Sequence, residues 1–171
     1  MIAIDTTILV YAHRAETPFH SAAKHCVTEQ LEGRAAWAIP WPCVHEFLAI
    51  VTKPRVFNPP TPLERALEQV DAWLASPSLL LLTEGSGYWP ELRTLLGAGH
   101  VVGAQIHDAR IAALCRLHGV RELWTADRDF TRFAGVVVRN PLVADVVRER
   151  PPRYGRRRLA HSARSPSRTT I

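Results

Sequence analysis

Short apolar runs that end in acids or turn residues recur along this chain, separated by longer stretches of helical character. The first run, Met1-Ile2-Ala3-Ile4, breaks at Asp5-Thr6-Thr7 before Ile8-Leu9-Val10-Tyr11-Ala12. A buried strand, an acidic turn and a helix account for that order. Pro18 and the stretch from His20 to Leu31, closed by Gly33, predict a second helix, and Ala35-Ala36-Trp37-Ala38-Ile39 predicts a second strand stopped by Pro40. Pro42 suits the opening of a third helix, which places Glu46 in its first turn. Thr61-Pro62-Leu63-Glu64 has the form of a capping box with proline at N1, opening a helix through Trp73 and Leu74. Ser78 to Thr83, with four consecutive leucines, predicts a buried strand, and helices follow over Trp89 to Leu96 and Gly103 to His118. After Gly119, a helix stop, the segment from Glu122 through Leu123, Trp124 and Thr125 to Asp127 repeats the apolar-to-acid transition. Val136-Val137-Val138 is the last predicted strand.

Strands alternating with helices imply an α/β fold with a parallel sheet. With 171 residues, 47% hydrophobic and 22% charged, the chain supports one sizeable core. Cys26, Cys43 and Cys115 are too widely spaced for a zinc motif or a disulfide frame, and read as free thiols in a reducing compartment. The chain enters a strand at once, without a basic leader, and no apolar run reaches the roughly 18 residues of a membrane helix, so a cytoplasmic protein is expected.

Charge divides the chain. Residues 148–171 hold eight arginines against Glu149, so this tail carries +7 of a net +5 and leaves −2 for residues 1–147. Proline, glycine and serine dominate its remainder, which predicts a basic, disordered C-terminal tail and a folded domain over 1–147. Such a tail adds salt-dependent attraction to RNA or an acidic partner, or is a solvated segment without a specific task.

The acids gather if the layout is right. In a right-handed parallel sheet, strands end at one edge and the helices that follow them begin there. Asp5 and Asp127 fall at strand ends, Glu46 near the start of the helix after the second strand, and Asp108 near the start of a helix running antiparallel to the strand around Leu123. Clustered carboxylates destabilise a fold unless countered, and the two lysines, Lys24 and Lys53, lie outside these motifs. A hard divalent cation with oxygen ligands, Mg²⁺ or Mn²⁺, is the natural counter-charge, and it suits phosphodiester hydrolysis.

In these motifs the chain resembles PIN-domain ribonucleases, and within them the VapC toxins of toxin–antitoxin pairs. The resemblance rests on Asp5-Thr6-Thr7, the Glu46 helix, Thr52-Lys53-Pro54-Arg55-Val56-Phe57, His107-Asp108-Ala109 with Ile111-Ala112-Ala113, and Thr125-Ala126-Asp127-Arg128-Asp129-Phe130, in order over about residues 1–142. It implies a three-layer α/β/α sandwich around a parallel sheet of about five strands. It also implies a metal-dependent endoribonuclease that acts as the toxin of a type II pair, is held inactive by a cognate antitoxin and forms a homodimer or toxin–antitoxin hetero-oligomer. Carried over residue by residue, Asp5, Glu46, Asp108 and Asp127 form the catalytic, metal-binding quartet, Asp129 assists, and Thr6 or Thr125 orients a carboxylate or water. Thr7 stands where the family often has Ser or Asn.

Other readings stay open. Asp5 and Asp129 also suit helix N-caps, Glu46 a helix N-terminus, Asp108 a solvated face and Asp127 a turn. An aspartyl phosphatase also uses acids at a sheet edge, but its nucleophilic DxD is replaced here by Asp5-Thr6-Thr7. A non-catalytic RNA- or partner-binding module would use the acids as caps. Arg14, Arg110, Arg128 and Arg132 are candidate phosphate contacts or ordinary surface arginines. His45 and His107 precede quartet acids, but neighbouring helical residues point about 100° apart and do not share a ligand direction. Trp37, Trp73, Trp89 and Trp124 read as core, and Trp41 as core or as a base-stacking residue at the cleft.

Overall fold

The computed structural model describes residues 1–99 and 101–143. Five strands, β1 (Ile2–Ile4), β2 (Trp37–Pro40), β3 (Leu79–Leu82), β4 (Glu122–Trp124) and β5 (Val138–Arg139), form one sheet in the order β3-β2-β1-β4-β5. Every pairing is parallel. Six α-helices connect them: α1 (Thr6–His13), α2 (His20–Glu32), α3 (Trp41–Val51), α4 (Leu63–Leu74), α5 (Tyr88–Ala98) and α6 (Gln105–Leu117). A 3₁₀ turn spans Arg128–Arg132. The predicted strands and helices thus all occur, with their ends shifted by a few residues. The proposed boundary at residue 147 and the basic tail lie outside the described residues.

Topology locates the site before any side chain is considered. The crossovers from β1 to β2 and from β2 to β3 step the same way along the sheet, so right-handedness sets α1 to α4 on one face. The return from β3 to β4 crosses in the opposite sense and sets α5 and α6 on the other, completing three layers. Strand order reverses between β1 and β4, and α/β proteins bind ligands outside the carboxyl ends of strands at such a switch point. Asp5 follows β1 directly, and its N–H still donates to the Trp124 carbonyl at 3.0 Å.

The central strands are apolar on both faces because helices cover both. Ile2, Ala3, Ile4, Trp37, Ala38 and Ile39 are all buried. β3 differs from the buried strand its four leucines predict: it is an edge strand, and Leu80 is 48% exposed. Trp37 and Trp73 are core residues, and Trp73 meets the edge of Phe47 at 4.7 Å to lock α4 onto α3. Trp89, expected in the core, is exposed at the start of α5.

Other local rules yielded to longer-range contacts. Pro40 does stop β2, as its last residue, but it also serves as N-cap of α3, so helix follows strand without a loop. Glu46 is consequently the sixth residue of α3, in its second turn rather than its first. Thr61 does not cap α4, whose N-cap is Pro62 without a side-chain bond. Its hydroxyl is taken by Arg14 Nη1 at 2.7 Å and His13 Nε2 at 3.2 Å. Gly119 does stop α6, at φ +62, a left-handed position that favours glycine.

Arg14 pins the segment between α3 and α4 to the end of α1. Its guanidinium also donates to the Pro59 carbonyl at 2.9 Å, pairs with Glu16 and lies 4.3 Å from the Phe57 ring centroid. Replacing it with alanine leaves Thr61 and Pro59 short of a donor. Arg14→Ala is expected to lower unfolding free energy by about 1–3 kcal/mol in urea titrations while leaving turnover per folded molecule unchanged.

Candidate active site

Asp5, buried to 2% exposure at the end of β1, is the anchor. As the N-cap of α1, its Oδ2 accepts the Thr7 N–H at 3.3 Å. The same oxygen accepts the Thr125 hydroxyl at 2.7 Å and the Thr7 hydroxyl at 3.0 Å. Its Oδ1 faces the Cys43 thiol at 3.7 Å. Burial, then the nearby Asp5 charge, pushes the Cys43 thiol well above its ordinary pKa, so it stays protonated and can donate. Burial likewise raises the Asp5 pKa, and the hydroxyl and amide donors only partly offset it.

The two hydroxyls also fix the second strand end. Thr7 Oγ1 accepts the Ala126 N–H at 3.1 Å, and Thr125 Oγ1 accepts the Asp127 N–H at 2.9 Å. Each hydroxyl has one proton, and the carboxylate is the stronger acceptor, so both protons go to Asp5. The 3.3 Å contact between Thr7 Oγ1 and Thr125 Oγ1 is then packing rather than a bond. Through these relays Asp5 sets the backbone that carries Asp127. Asp127 Oδ1 in turn accepts the Asp129 N–H at 2.8 Å and caps the 3₁₀ turn, the place expected for Asp129.

Glu46 reaches the site from α3, and Thr6 Oγ1 donates to its Oε2 at 2.7 Å. Asp108 comes from the first turn of α6, which has no side-chain cap. Asp5, Thr6, Thr7, Glu46, Asp108 and Asp127 line one cavity of about 150 Å³, closed below by Val10, Ile111 and Phe130. Neither lysine nor arginine lines it. Desolvation, followed by the charges of Asp127, Asp5, Glu46 and Asp129, raises the Asp108 pKa to about 6. All four members of the predicted quartet therefore meet at one edge of the sheet.

The remaining candidates lie farther out. Asp129 lines an outer groove of about 600 Å³ with Glu46, Asp108, His45, His107 and Arg110. Arg132 binds the Asp129 carbonyl at 3.1 Å and its carboxylate at 3.3 Å. Arg110 pairs with Glu84 at 2.8 Å, Arg128 is exposed, and Arg14 is engaged away from the acids. Two partners of Asp5 were not anticipated. Thr7 carried a local signal, since a hydroxyl two residues past a strand-end acid can bond back to it; Cys43, on another element, carried none.

The donor set suits a hard divalent cation. Its donors are carboxylate and hydroxyl oxygens, and Asp108, its pKa raised by burial and then by the neighbouring acids, gains from a cation beside it. Among the described residues no three Asp, Glu, His or Cys side chains form a compact metal cluster. The acids surround a cavity instead, which suits Mg²⁺ because it binds through a few carboxylates and keeps several waters. Losing the hydroxyl that holds Glu46 should matter: Thr6→Val is expected to lower metal-dependent activity roughly 10–100-fold, with Thr6→Ser restoring it.

Comparisons with known proteins identify the family. The family model described as PIN domain matches residues 2–136. Ribonuclease VapC48 of Mycobacterium tuberculosis is 33% identical over 137 residues, covering 80% of this chain and 94% of that protein. VapC ribonuclease Mb2897 of Mycobacterium bovis is 33% identical over 142 residues, covering 83% and 96%. Among solved structures, VapC20 of Mycobacterium tuberculosis, described as a sarcin-ricin loop cleaving toxin, superposes with a TM-score of 0.60 at 17% identity, over 80% of this chain and 97% of that one. VapBC2 from Rickettsia felis, bound to a promoter DNA fragment, gives 0.58 at 20% identity, over 82% and 98%.

Proposed function

The chain belongs to the PIN domain family, and from that premise we propose that it is the endoribonuclease toxin of a type II toxin–antitoxin pair, restrained by a cognate antitoxin protein. The observation that carries the reading is the convergence of Asp5, Glu46, Asp108 and Asp127, from four separate elements, on one cavity without a basic residue. Two relatives at 33% identity are ribonucleases by name. PIN-domain ribonucleases use divalent metal; Mg²⁺ is the ion proposed here, with Mn²⁺ as a substitute.

Asp5, Asp108 and Asp127 would hold the ion, with Glu46 beside them and Asp129 assisting from the outer groove. When bound, such an ion supplies Lewis-acid activation of water and stabilisation of charge on the leaving oxygen. The chain's own residues do the positioning. Thr7 and Thr125 keep the Asp5 carboxylate in one orientation, and Thr6 turns the Glu46 carboxylate toward the cavity. Arg128, next to Asp129 in sequence, and Arg132, bonded to it, are candidate contacts for the RNA backbone, and Arg110 lines the outer groove itself. The family resemblance also suggests a homodimer or toxin–antitoxin hetero-oligomer, and a cytoplasmic setting; among the described residues no helix is long and apolar enough to cross a membrane.

The aspartyl-phosphatase alternative needs an acid at the position of Thr7 and an Asp5 oxygen free to attack. Here that position is Thr7, a hydroxyl donor to Asp5 rather than an acid.

Purified protein incubated with structured RNA is expected to cut it in Mg²⁺ or Mn²⁺ and to stop when a chelator is added. RNA left intact at every metal and protein concentration would reject the nuclease. Expression is expected to arrest growth, with relief on co-expression of the adjoining open reading frame; unchanged growth with abundant soluble protein would reject the toxin role.

A further inference from the structure

Beside the acids, the same two helices build a second cavity. It has a volume of about 340 Å³ and is lined by Trp41, Pro42, His45, Leu82, Thr83, Glu84, Arg110 and Leu114. Pro42, His45 and Arg110 also line the outer groove that contains Glu46, Asp108 and Asp129, so cavity and groove adjoin. On α3, Trp41 and His45 precede Glu46; on α6, Arg110 and Leu114 follow Asp108. The cavity thus opens beside the groove that holds Glu46 and Asp108.

The lining matches a nucleobase. Trp41 and His45 are one helical turn apart and stack with centroids 5.7 Å apart and planes 25° from parallel. They offer aromatic surface, with Leu82 and Leu114 as buried apolar walls. At the rim, Arg110 Nε donates to Glu84 Oε1 at 2.8 Å, which sets a donor group and a carboxylate side by side. The volume lies within the roughly 300–1,000 Å³ typical of small-ligand pockets.

We propose that the Trp41, Glu84 and Arg110 cavity is a base-recognition subsite that takes a guanine next to the cleaved phosphate. Guanine carries acceptors at O6 and N7, the pair an arginine fork recognises. It also carries N–H donors at N1 and N2 for a carboxylate. Adenine reverses the charge pattern toward Arg110, because its N6 amino group is a donor. Uracil lacks the exocyclic amino donor, and cytosine lacks the O6/N7 acceptor pair. Glu84 and Arg110 thus act as specificity residues, and Trp41 supplies stacking. This inference rests on the proposed RNA cleavage but makes a separate claim about base choice.

Two measurements separate the claims. Asp5→Asn protein, used as a non-cutting trap, is titrated with pentanucleotides that differ only in the central base, while the indole NMR signal of Trp41 is followed. The guanine oligomer is expected to shift that signal and to bind at least about 10-fold tighter than the others. In cleavage of a randomised RNA pool, wild-type ends are expected to be enriched in guanine at one fixed offset. Glu84→Gln should remove the enrichment, and Trp41→Ala should raise KM roughly 10–100-fold with kcat little changed, Trp41→Phe recovering most of it. Metal-dependent cutting with no base preference, or one unaltered in Glu84→Gln and Trp41→Ala, overturns the subsite and leaves the nuclease standing. Guanine-selective binding at Trp41 without cleavage by wild type upholds the subsite and removes the nuclease. No oligomer binding, or binding without a Trp41 shift, overturns the subsite.

Discussion

Asp5→Asn is expected to lower RNA cleavage by more than about 100-fold and, in metal-free buffer, to raise the melting temperature. Both effects come from one carboxylate. Residues that merely orient a metal ligand are worth about 10–100-fold, so loss of charge at the proposed central ligand should exceed that range. The fold should tolerate the change, because asparagine caps helices as well as aspartate does. Its carbonyl oxygen can occupy the Oδ2 position that receives Thr7 and Thr125, while its amide faces Cys43. What disappears is a buried charge whose desolvation raises the Asp5 pKa, and its removal relieves the native state. Cleavage assays and thermal melts on one preparation test both arms; a variant that loses activity through a lower melting temperature would contradict this account.

The second large effect is a stability profile that inverts with metal. The Asp108 pKa is raised from 3.8 to about 6 in the folded protein. Between those values the folded state binds more protons than the unfolded chain, so stability falls as pH rises. Asp108 should therefore make the metal-free protein more stable near pH 5 than near pH 7, by on the order of 1 kcal/mol after solvent screening of its partly exposed carboxyl is allowed for, while His13, whose pKa burial lowers, works in the opposite direction. The raised pKa of Asp5 adds in the same direction as Asp108. Saturating Mg²⁺ should cancel or reverse the trend, because cation binding favours the ionised acids and stabilises the native state by mass action. Denaturant melts at the two pH values, with and without Mg²⁺, measure this directly. An Asp108→Asn variant whose metal-free pH profile matches that of the wild type would mean that the acids are not electrostatically coupled.

Much of this site was legible because its acids end local patterns. Asp5 follows three apolar strand residues, and Asp127 follows Glu122–Trp124 by three positions. Asp108 required only that α6 run back along the sheet, and it does lie in the first turn of that helix. Glu46 was expected in the first turn of α3, but it is the sixth residue of a helix that begins at Trp41, directly after Pro40, and so lies in the second turn. The cap of the 3₁₀ turn passed from Asp129 to Asp127 because the turn begins at Arg128, two residues before the start that an Asp129 cap implies. Thr61 lost its capping role to Arg14, 47 residues away. A charged donor from another element outcompeted the local backbone amide.

The sequence by itself determined which acids exist, the elements they close and the order in which those elements alternate. Strand and helix periodicities are local, and right-handed crossovers then leave few ways to connect them. Only the tertiary structure decided which donors hold the acids and what stands beside them. The Thr125 to Asp5 bond spans 120 residues, the Thr6 to Glu46 bond spans 40, and Cys43 reaches Asp5 across 38. Arg110 and Glu84 are 26 apart and meet only once α6 has folded back past the end of β3. No periodicity encodes such pairings, because they form where packed elements bring short-range donors and acceptors within hydrogen-bonding distance.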